Sequence, residues 1–308
     1  TKYKEEVVDC RALGLAQREV ERRLAQEEVI VGGYRRVGIL QMGQNSEVWE
    51  VAEIGGRQRY AMKLLLTDRT IDPQQRAAMK IEAKIGLALD HPHIIRFYKF
   101  VNDRKQPFIL MECFRGSSAK APIMRGESTM LRPLLKRMLT QFSDSLHYFH
   151  EKGWVHKDIK PDNLLFNQAG DTKLIDFAIA VRSATGLARL FWRKKKQGAG
   201  TRSYMSPEQI RGEPLDRRAD IYSAGIMFFE LVAGRLPYTA NSGNELLKKH
   251  LQPGVAVLPP DTGVEPAFAD LVRRMMAKKP ADRPQSMEEV LSEIRRTKVF
   301  VDEAVGAE

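Results

Sequence analysis

The chain has 308 residues, 43% of them hydrophobic and 29% charged, with a formal net charge of +11. That length and apolar content can bury a sizeable core, as one two-lobed domain or two small ones, while no apolar run approaches the ~20 residues of a membrane helix. Two cysteines, Cys10 and Cys113, with no Cys-x-x-Cys pair, exclude a disulfide framework and suit a reducing compartment.

Residues 3–29 read as a charged helix with Val7, Val8, Leu13, Leu15, Val20 and Leu24 at its apolar positions and Gly14 weakening it. The apolar stripe is no clean heptad, so a packed helix or linker is favoured over a dimerising or regulatory one. Val37 to Leu66 reads as strands, β-rich around Val48, Trp49 and Val51 and again over Tyr60 to Leu65, with Gly55-Gly56 as the turn between. Asp72-Pro73 opens a helix running to about Leu89, Pro73 suiting its first turn, and His91-Pro92 ends it. His91 and His93 have no Cys or third His nearby and read as a helix-end turn, not a metal site. Phe108 to Met111 is a short buried strand. Beyond Phe114 the chain turns mainly helical: Thr129 to Lys152 is long and amphipathic, and Ile221 to Val232 is apolar nearly all round, which predicts a central buried helix. Strands first and helices later imply an α+β pair of lobes.

The densest chemistry lies in His156-Lys157-Asp158-Ile159-Lys160-Pro161-Asp162-Asn163, followed thirteen residues after Asn163 by Asp176-Phe177-Ala178. A carboxylate, an ammonium and an amide within six positions, with a second carboxylate at a strand end, can orient a hydroxyl, screen a phosphoryl group and hold Mg²⁺. Ala61-Met62-Lys63 places a lysine in an apolar strand pattern, where an unpaired charge would be costly. Further along stand Glu82, then Gly200-Thr201-Arg202-Ser203-Tyr204-Met205-Ser206-Pro207-Glu208, Asp220 in an apolar run, and Asp282-Arg283-Pro284.

From about Tyr34 to Ile294, the order and spacing of these segments resemble the eukaryotic-like (Hanks-type) protein kinases, and among them bacterial Ser/Thr kinases. The resemblance implies a bilobal α+β fold, with an antiparallel sheet plus one helix in the N-lobe and a mainly α-helical C-lobe. Its expected segments are 1–33 as a helical extension, 34–112 as N-lobe, 113–297 as C-lobe and 298–308 as a tail. It implies that Lys63 pairs with ATP phosphates and Glu82 with Lys63, that Asp158 is the base and Lys160 steadies the transferred phosphate, and that Asn163 and Asp176 ligate Mg²⁺ (or Mn²⁺). ATP would bind among Leu40, Gly43, Val48, Ala61, Lys63, Met111, Glu112, Cys113 and Leu165, with Met111 as gatekeeper behind the adenine and Glu112, Cys113 and Phe114 as the hinge whose backbone reads it. Asp220 would tie down the catalytic loop, and Arg283 would pair with Glu208. Lys160 and Thr201 resemble Ser/Thr rather than Tyr kinases; protein Ser/Thr hydroxyls are the expected acceptors, with Ser183, Thr185, Thr201 and Ser203 as candidate autophosphorylation sites.

Several positions depart from the family pattern. The phosphate-covering loop, Gln41 to Val48, keeps only Gly43, which leaves the backbone less freedom to approach phosphate. Ala178 stands where glycine is usual and penalises positive φ. Lys157 replaces an arginine and cannot fork onto a phosphorylated activation segment. Gly86, one turn after Glu82, stands where a bulky apolar residue usually meets Phe177; this predicts a loosely held helix, seated from outside, with residues 3–29 as the candidate. Arg193-Lys194-Lys195-Lys196 is either a solvated loop or a docking site for an acidic partner. With no nucleic-acid module and no interleaved aromatic and basic stripe, the net charge points to ATP and acidic protein surfaces rather than nucleic acid. Dimerisation stays open. A cytoplasmic location is expected; because the chain begins at Thr1 rather than Met, an anchor or sensor domain outside it also stays open. The rival readings are a pseudokinase that signals by conformation and a small-molecule kinase of related fold.

Overall fold

The structure is a computed structural model that describes residues 30–66, 72–184 and 200–302. The helix expected over 3–29, Thr185 and the basic run at 193–196 lie outside the described residues. The described residues fall into two compact units, one taking in those up to Ala77 with Tyr98–Cys113, the other Ala78–Phe97 with those from Phe114 onward.

The β-rich stretch after residue 30 forms β1 (Ile30–Val31), β2 (Tyr34–Met42), β3 (Ser46–Glu53) and β4 (Arg59–Leu65). The β3–β4 turn falls at the expected glycines: Gly55 takes φ 80° and the Gly56 N–H donates to the Glu53 carbonyl. Helix α1 (Pro73–Gly86) starts on Pro73, as expected, and the Asp72 side chain accepts the Gln74 N–H. It stops three residues short of Leu89, because Ala88 and Leu89 donate to Ile85 and Gly86 in the tighter i→i+3 pattern of a closing last turn. The run Phe97-Tyr98-Lys99-Phe100-Val101, rich in strand-favouring residues but not singled out above, forms β5 (Phe97–Val101), and β6 (Phe108–Glu112) follows. The six strands make one sheet in the order β1-β2-β3-β4-β6-β5. Period-two alternation sends Trp49, Val51, Met62, Leu64, Phe108 and Leu110 to one face, where they form an apolar cluster.

Past Cys113 the chain forms β7 (Ser117–Ser118), α2 (Lys120–Met124), α3 (Leu135–Glu151), β8 (Trp154–Val155), β9 (Leu164–Phe166), β10 (Thr172–Leu174) and β11 (Val181–Arg182). After residue 200 come α4 (Pro207–Arg211), α5 (Arg217–Ala233), α6 (Gly243–Leu251), α7 (Pro266–Met275) and α8 (Met287–Arg296). The long helix expected over 129–152 is divided: Pro133, which has no N–H to donate, lies in a 3₁₀ stretch Ser128–Leu134 that precedes α3. Helix α5 is the central buried helix, with every side chain from Ala219 to Leu231 buried. Phe228 meets Phe142 of α3 and stacks on Phe268 of α7. Gly225 permits the close approach of α7, since a Cβ there would stand 2.9 Å from that of Met275. Among the described residues no helix is long and apolar enough to cross a membrane.

Candidate active site

The candidate residues lie in both units, and each set is ordered by its own unit. In the sheet, Val48 pairs with Lys63 and Ala61 with Met111. Directly opposed residues share a face, and Ala61 and Lys63 are two apart. Val48, Ala61, Lys63 and Met111 therefore share the face opposite the Trp49–Met62 cluster. Leu40 is half exposed on β2, and Gly43 closes the β2–β3 turn, its N–H donating to the Ser46 carbonyl at 2.8 Å. A Cβ on Gly43 would stand 3.0 Å from that same carbonyl, so this one glycine serves the turn itself. Glu112 ends β6, and the half-buried Cys113 follows. Leu165 sits on β9, paired with Lys173 and Ser118.

In the other unit, four groups converge on Asp158. Its Oδ1 accepts the backbone N–H and the hydroxyl of Thr201, both at 3.0 Å. Its Oδ2 lies 2.8 Å from Lys160 Nζ and accepts from Asn163 Nδ2 at 3.1 Å. Lys160 also donates to Thr201 Oγ1 at 2.8 Å, so carboxylate, ammonium and hydroxyl close a triangle. Asn163 Nδ2 donates as well to the Asp158 carbonyl at 2.8 Å. Two oxygen partners fix the amide's orientation and leave its Oδ1 as the end able to ligate. The Ile175 N–H donates to the Asn163 carbonyl at 3.0 Å, which brings Asp176 beside the loop.

The loop is held in a conformation it would not choose alone. Lys157 has φ 69°, in the left-handed region that costs a side-chain-bearing residue about 1–3 kcal/mol. Both of its peptide groups are secured: its N–H donates to Asp220 Oδ1 at 2.9 Å and its carbonyl accepts from Gln209 Nε2 at 2.9 Å. Asp220, fully buried, also accepts the His156 N–H at 2.7 Å and faces His150 Nε2 at 2.9 Å. Asp220 thus ties the loop down, as the resemblance implied. The expected Glu208–Arg283 pair is also present, bidentate at 2.7 and 3.0 Å and buried. Gly200, at φ 142°, lies against the same junction; a Cβ there would come within 2.8 Å of Gln209 Nε2 and 3.1 Å of the Lys157 carbonyl.

Sequence reasoning missed Gln209 and His150, which no spacing singles out. It also missed the buried Glu230, which accepts from Lys120 Nζ and the Tyr204 hydroxyl, each at 2.5 Å. A lone carboxylate inside the apolar run of α5 was the available signal. Burial and the Glu230 charge hold the Tyr204 hydroxyl well above the ordinary phenol range, so it stays a donor.

Two expectations change. The positive φ in Asp176-Phe177-Ala178 belongs to Asp176, at 67°, and not to Ala178, so the alanine carries no such strain. Gly86 leaves no gap: it is buried, and a Cβ there would overlap the ring of Phe97. The loosely held helix predicted from a missing side chain is thus filled at that point by a neighbouring one. At the helix end, His91 Nδ1 accepts the His93 N–H at 3.1 Å and His91 Nε2 lies 3.2 Å from Asp144 Oδ2, the turn read from the sequence.

Among the described residues no group of three or more His, Cys, Asp or Glu side chains could cage a metal. The Asn163 amide oxygen and the Asp176 carboxylate are hard donors on segments joined by the backbone hydrogen bond from Ile175 to Asn163. They fit a divalent cation that draws its remaining ligands from phosphate and water.

Over residues 34–294 the chain matches the family described as Protein kinase domain. It is 30% identical over 272 residues to a protein named a probable serine/threonine-protein kinase from Streptomyces coelicolor, covering 86% of this chain and 40% of that protein. It is 31% identical to the serine/threonine-protein kinase PknH of Mycobacterium tuberculosis, over 82% of this chain and 40% of that protein, and 29% identical to PknA of the same species, over 83% and 59%. The chain thus spans about two fifths to three fifths of the length of these relatives. With a bilobal α+β architecture, a loop closed on Asp158 and a match across most of its length, this chain belongs to the protein kinase domain family, of the Hanks type shared with bacterial Ser/Thr kinases.

Proposed function

We propose that this domain transfers the γ-phosphoryl group of ATP to serine or threonine hydroxyls of proteins, with Mg²⁺ as the cation. The family implies ATP and a divalent metal; Mg²⁺ is our choice because two oxygen donors beside a polyphosphate suit its octahedral demands. The observation that carries the reading is the hydroxyl of Thr201 held at 3.0 Å by Asp158 and at 2.8 Å by Lys160. It supports the reading that this carboxylate and this ammonium hold an acceptor hydroxyl between them, the carboxylate accepting from it and the ammonium donating to it.

In the reaction, Asp158 orients the acceptor hydroxyl and takes its proton as the O–P bond forms and the bond from the γ-phosphorus to the ADP oxygen breaks. Lys160 places positive charge beside the transferring group, where negative charge is spread over the equatorial oxygens. Asn163 and Asp176 would hold the metal, which supplies neutralisation of phosphate charge when bound. Lys63 is assigned to the phosphates and Glu82 to Lys63. Leu40, Gly43, Val48, Ala61, Met111, Glu112, Cys113 and Leu165 are assigned to the nucleotide, and Thr201 to Glu208 to the acceptor platform. Two cysteines far apart in the sequence and a need for ATP suit the cytoplasm.

The test is γ-phosphate transfer to a generic basic protein, with Mg²⁺ and Mn²⁺ compared. Asp158→Asn and Lys63→Met should each lower kcat by about a hundredfold or more. No transfer by the wild type, with MgATP still raising its melting temperature, would replace the enzyme by a nucleotide-binding pseudokinase. Intact mass after incubation with MgATP reads autophosphorylation directly.

A further inference from the structure

Between Asp176 and Glu208 the chain carries seven basic residues and no acidic one. One of the seven, Arg202, directly follows the threonine whose hydroxyl sits between Asp158 and Lys160. The backbone on either side of it is fixed. The Thr201 N–H donates to Asp158, the Tyr204 N–H donates to the Thr201 carbonyl at 3.0 Å, and the Tyr204 carbonyl accepts the Ser223 hydroxyl at 2.7 Å. Arg202 opens the 3₁₀ turn Arg202–Tyr204 between these anchors and is exposed.

Its side chain lies along the first turn of α6. A Cβ on Gly243 would overlap Arg202 Nη1 and stand 3.0 Å from its Cζ and 3.1 Å from its Cδ. Gly243 has no positive φ to explain it, and glycine is a poor helix former. The room it leaves is what the guanidinium occupies. Stability does not account for the placement, because a cation gains from the C-terminal end of a helix and not from its start. Among the described residues Arg202 makes no ion pair, although Glu245 stands in the same turn of α6, and Lys160 is already matched by Asp158 at 2.8 Å. An unmatched, seated cation thus stands one residue from the hydroxyl site.

We propose that Arg202 is a specificity-determining residue that selects protein acceptors with an anionic side chain, a carboxylate or a phosphate ester, close beside the serine or threonine. Consecutive Cα atoms stand about 3.8 Å apart, so a side chain as long as arginine's covers the residues next to the acceptor. The guanidinium fork matches either oxyanion through two parallel N–H donors. The acid-free stretch that contains it adds attraction of the same sign over a longer range. The inference rests on the proposed kinase activity and deepens it by naming the substrate class.

The test is a scan of synthetic peptides with one serine, and glutamate or glutamine placed at each nearby position in turn, on both sides. In the wild type, glutamate at a position beside the serine should raise kcat/KM about five- to tenfold over glutamine, through KM. Added salt should shrink that preference. The ratio of the two peptides within one enzyme cancels any general loss of activity in a variant. Arg202→Gln should bring the ratio to about one, and Arg202→Glu should turn the preference towards a lysine peptide, a reversal that a purely structural role does not give. Gly243→Ala, which keeps the cation but takes its seat, should lower the ratio as well. Phosphoserine in place of the glutamate separates the two sources: a stronger preference for it assigns substrates that are already phosphorylated, a weaker one assigns acidic sequences. Equal kcat/KM for glutamate and glutamine at every position, or a glutamate preference that survives Arg202→Gln, would overturn the proposal. If the wild type transfers to no peptide, the kinase reading fails, and fluorescence anisotropy of the same peptides decides this one. Tighter binding of the glutamate peptide to wild type than to Arg202→Glu would support it, and equal binding would end it.

Discussion

Lys157 shows how much structure one residue can demand. Its positive φ puts Asp158 where Thr201 and Lys160 reach it, and two buried partners, Asp220 on its N–H and Gln209 on its carbonyl, hold it there. Losing a buried hydrogen-bond partner costs about 1–3 kcal/mol, comparable to the strain being restrained. Gln209→Ala should therefore lower kcat by about tenfold or more through loop relaxation, with little change in KM for ATP. Glycine takes positive φ without penalty. In a Lys157→Gly background the same Gln209→Ala change should cost measurably less. Equal losses in the two backgrounds would mean that Gln209 acts on something other than this strain. A second residue-scale expectation concerns Thr201: serine should retain transfer, and valine, with no hydroxyl to close the triangle on Asp158 and Lys160, should lose about tenfold.

Among the elements, α4 is too short to hold itself by its own ladder and depends on a fixed end. Ser206 caps it, its side chain accepting the Gln209 N–H, and Glu208 anchors it to Arg283, 75 residues away. Arg283 leaves none of its five donors idle: besides Glu208, its Nε donates to Ala277, Nη1 to Arg218 and Nη2 to Lys278, all at backbone carbonyls. Removing one partner of such a buried pair strands the other charge, so Arg283→Met should destabilise by about 3–5 kcal/mol in urea unfolding. Arg283→Met with Glu208→Leu should lose less than Arg283→Met alone. The pair was legible in the sequence only by resemblance, since no periodicity joins residues so distant. Strands β2 to β4, the start of α1 and the body of α5 from Ile221 to Val232 were legible because their patterns are long and regular. Strands β7 to β11 are two or three residues each, too short for alternation to declare itself. The Asp158 loop was legible from its side-chain chemistry. Gln209 and Phe97 were not, because what gives each its place is a hydrogen-bond partner or a volume on a distant segment.

For the molecule as a whole, the consequence least visible in the sequence is its response to pH. His250 on α6 is fully buried, with Nδ1 2.9 Å from the Tyr222 hydroxyl of α5 and the Tyr238 ring 5.1 Å away. Lys278 donates to the hydroxyls of Tyr238 and Tyr222, and Arg283 lies over the Tyr222 ring. Burial first, and then the Lys278 ammonium, push His250 down to about 4. Burial and the Arg283 charge push Lys278 down to about 8. Burial raises both tyrosines, so they remain neutral donors and acceptors. Each depressed base binds its proton less readily folded than unfolded. The His250 contribution is therefore complete above about pH 6.5 and is lost as pH falls towards 4, while the Lys278 penalty is relieved as pH rises from 8 towards the ordinary lysine range. From pH 7 to pH 5 the His250 term alone should remove about 2 kcal/mol. Hydrogen exchange of the α5 amides, compared at the two pH values after correction for intrinsic rates, reads this loss where the packing is deepest. His250→Gln, neutral throughout, should flatten the difference by about that amount. An acid loss of the same size in the variant would assign the sensitivity to the carboxylates instead and remove His250 from the account.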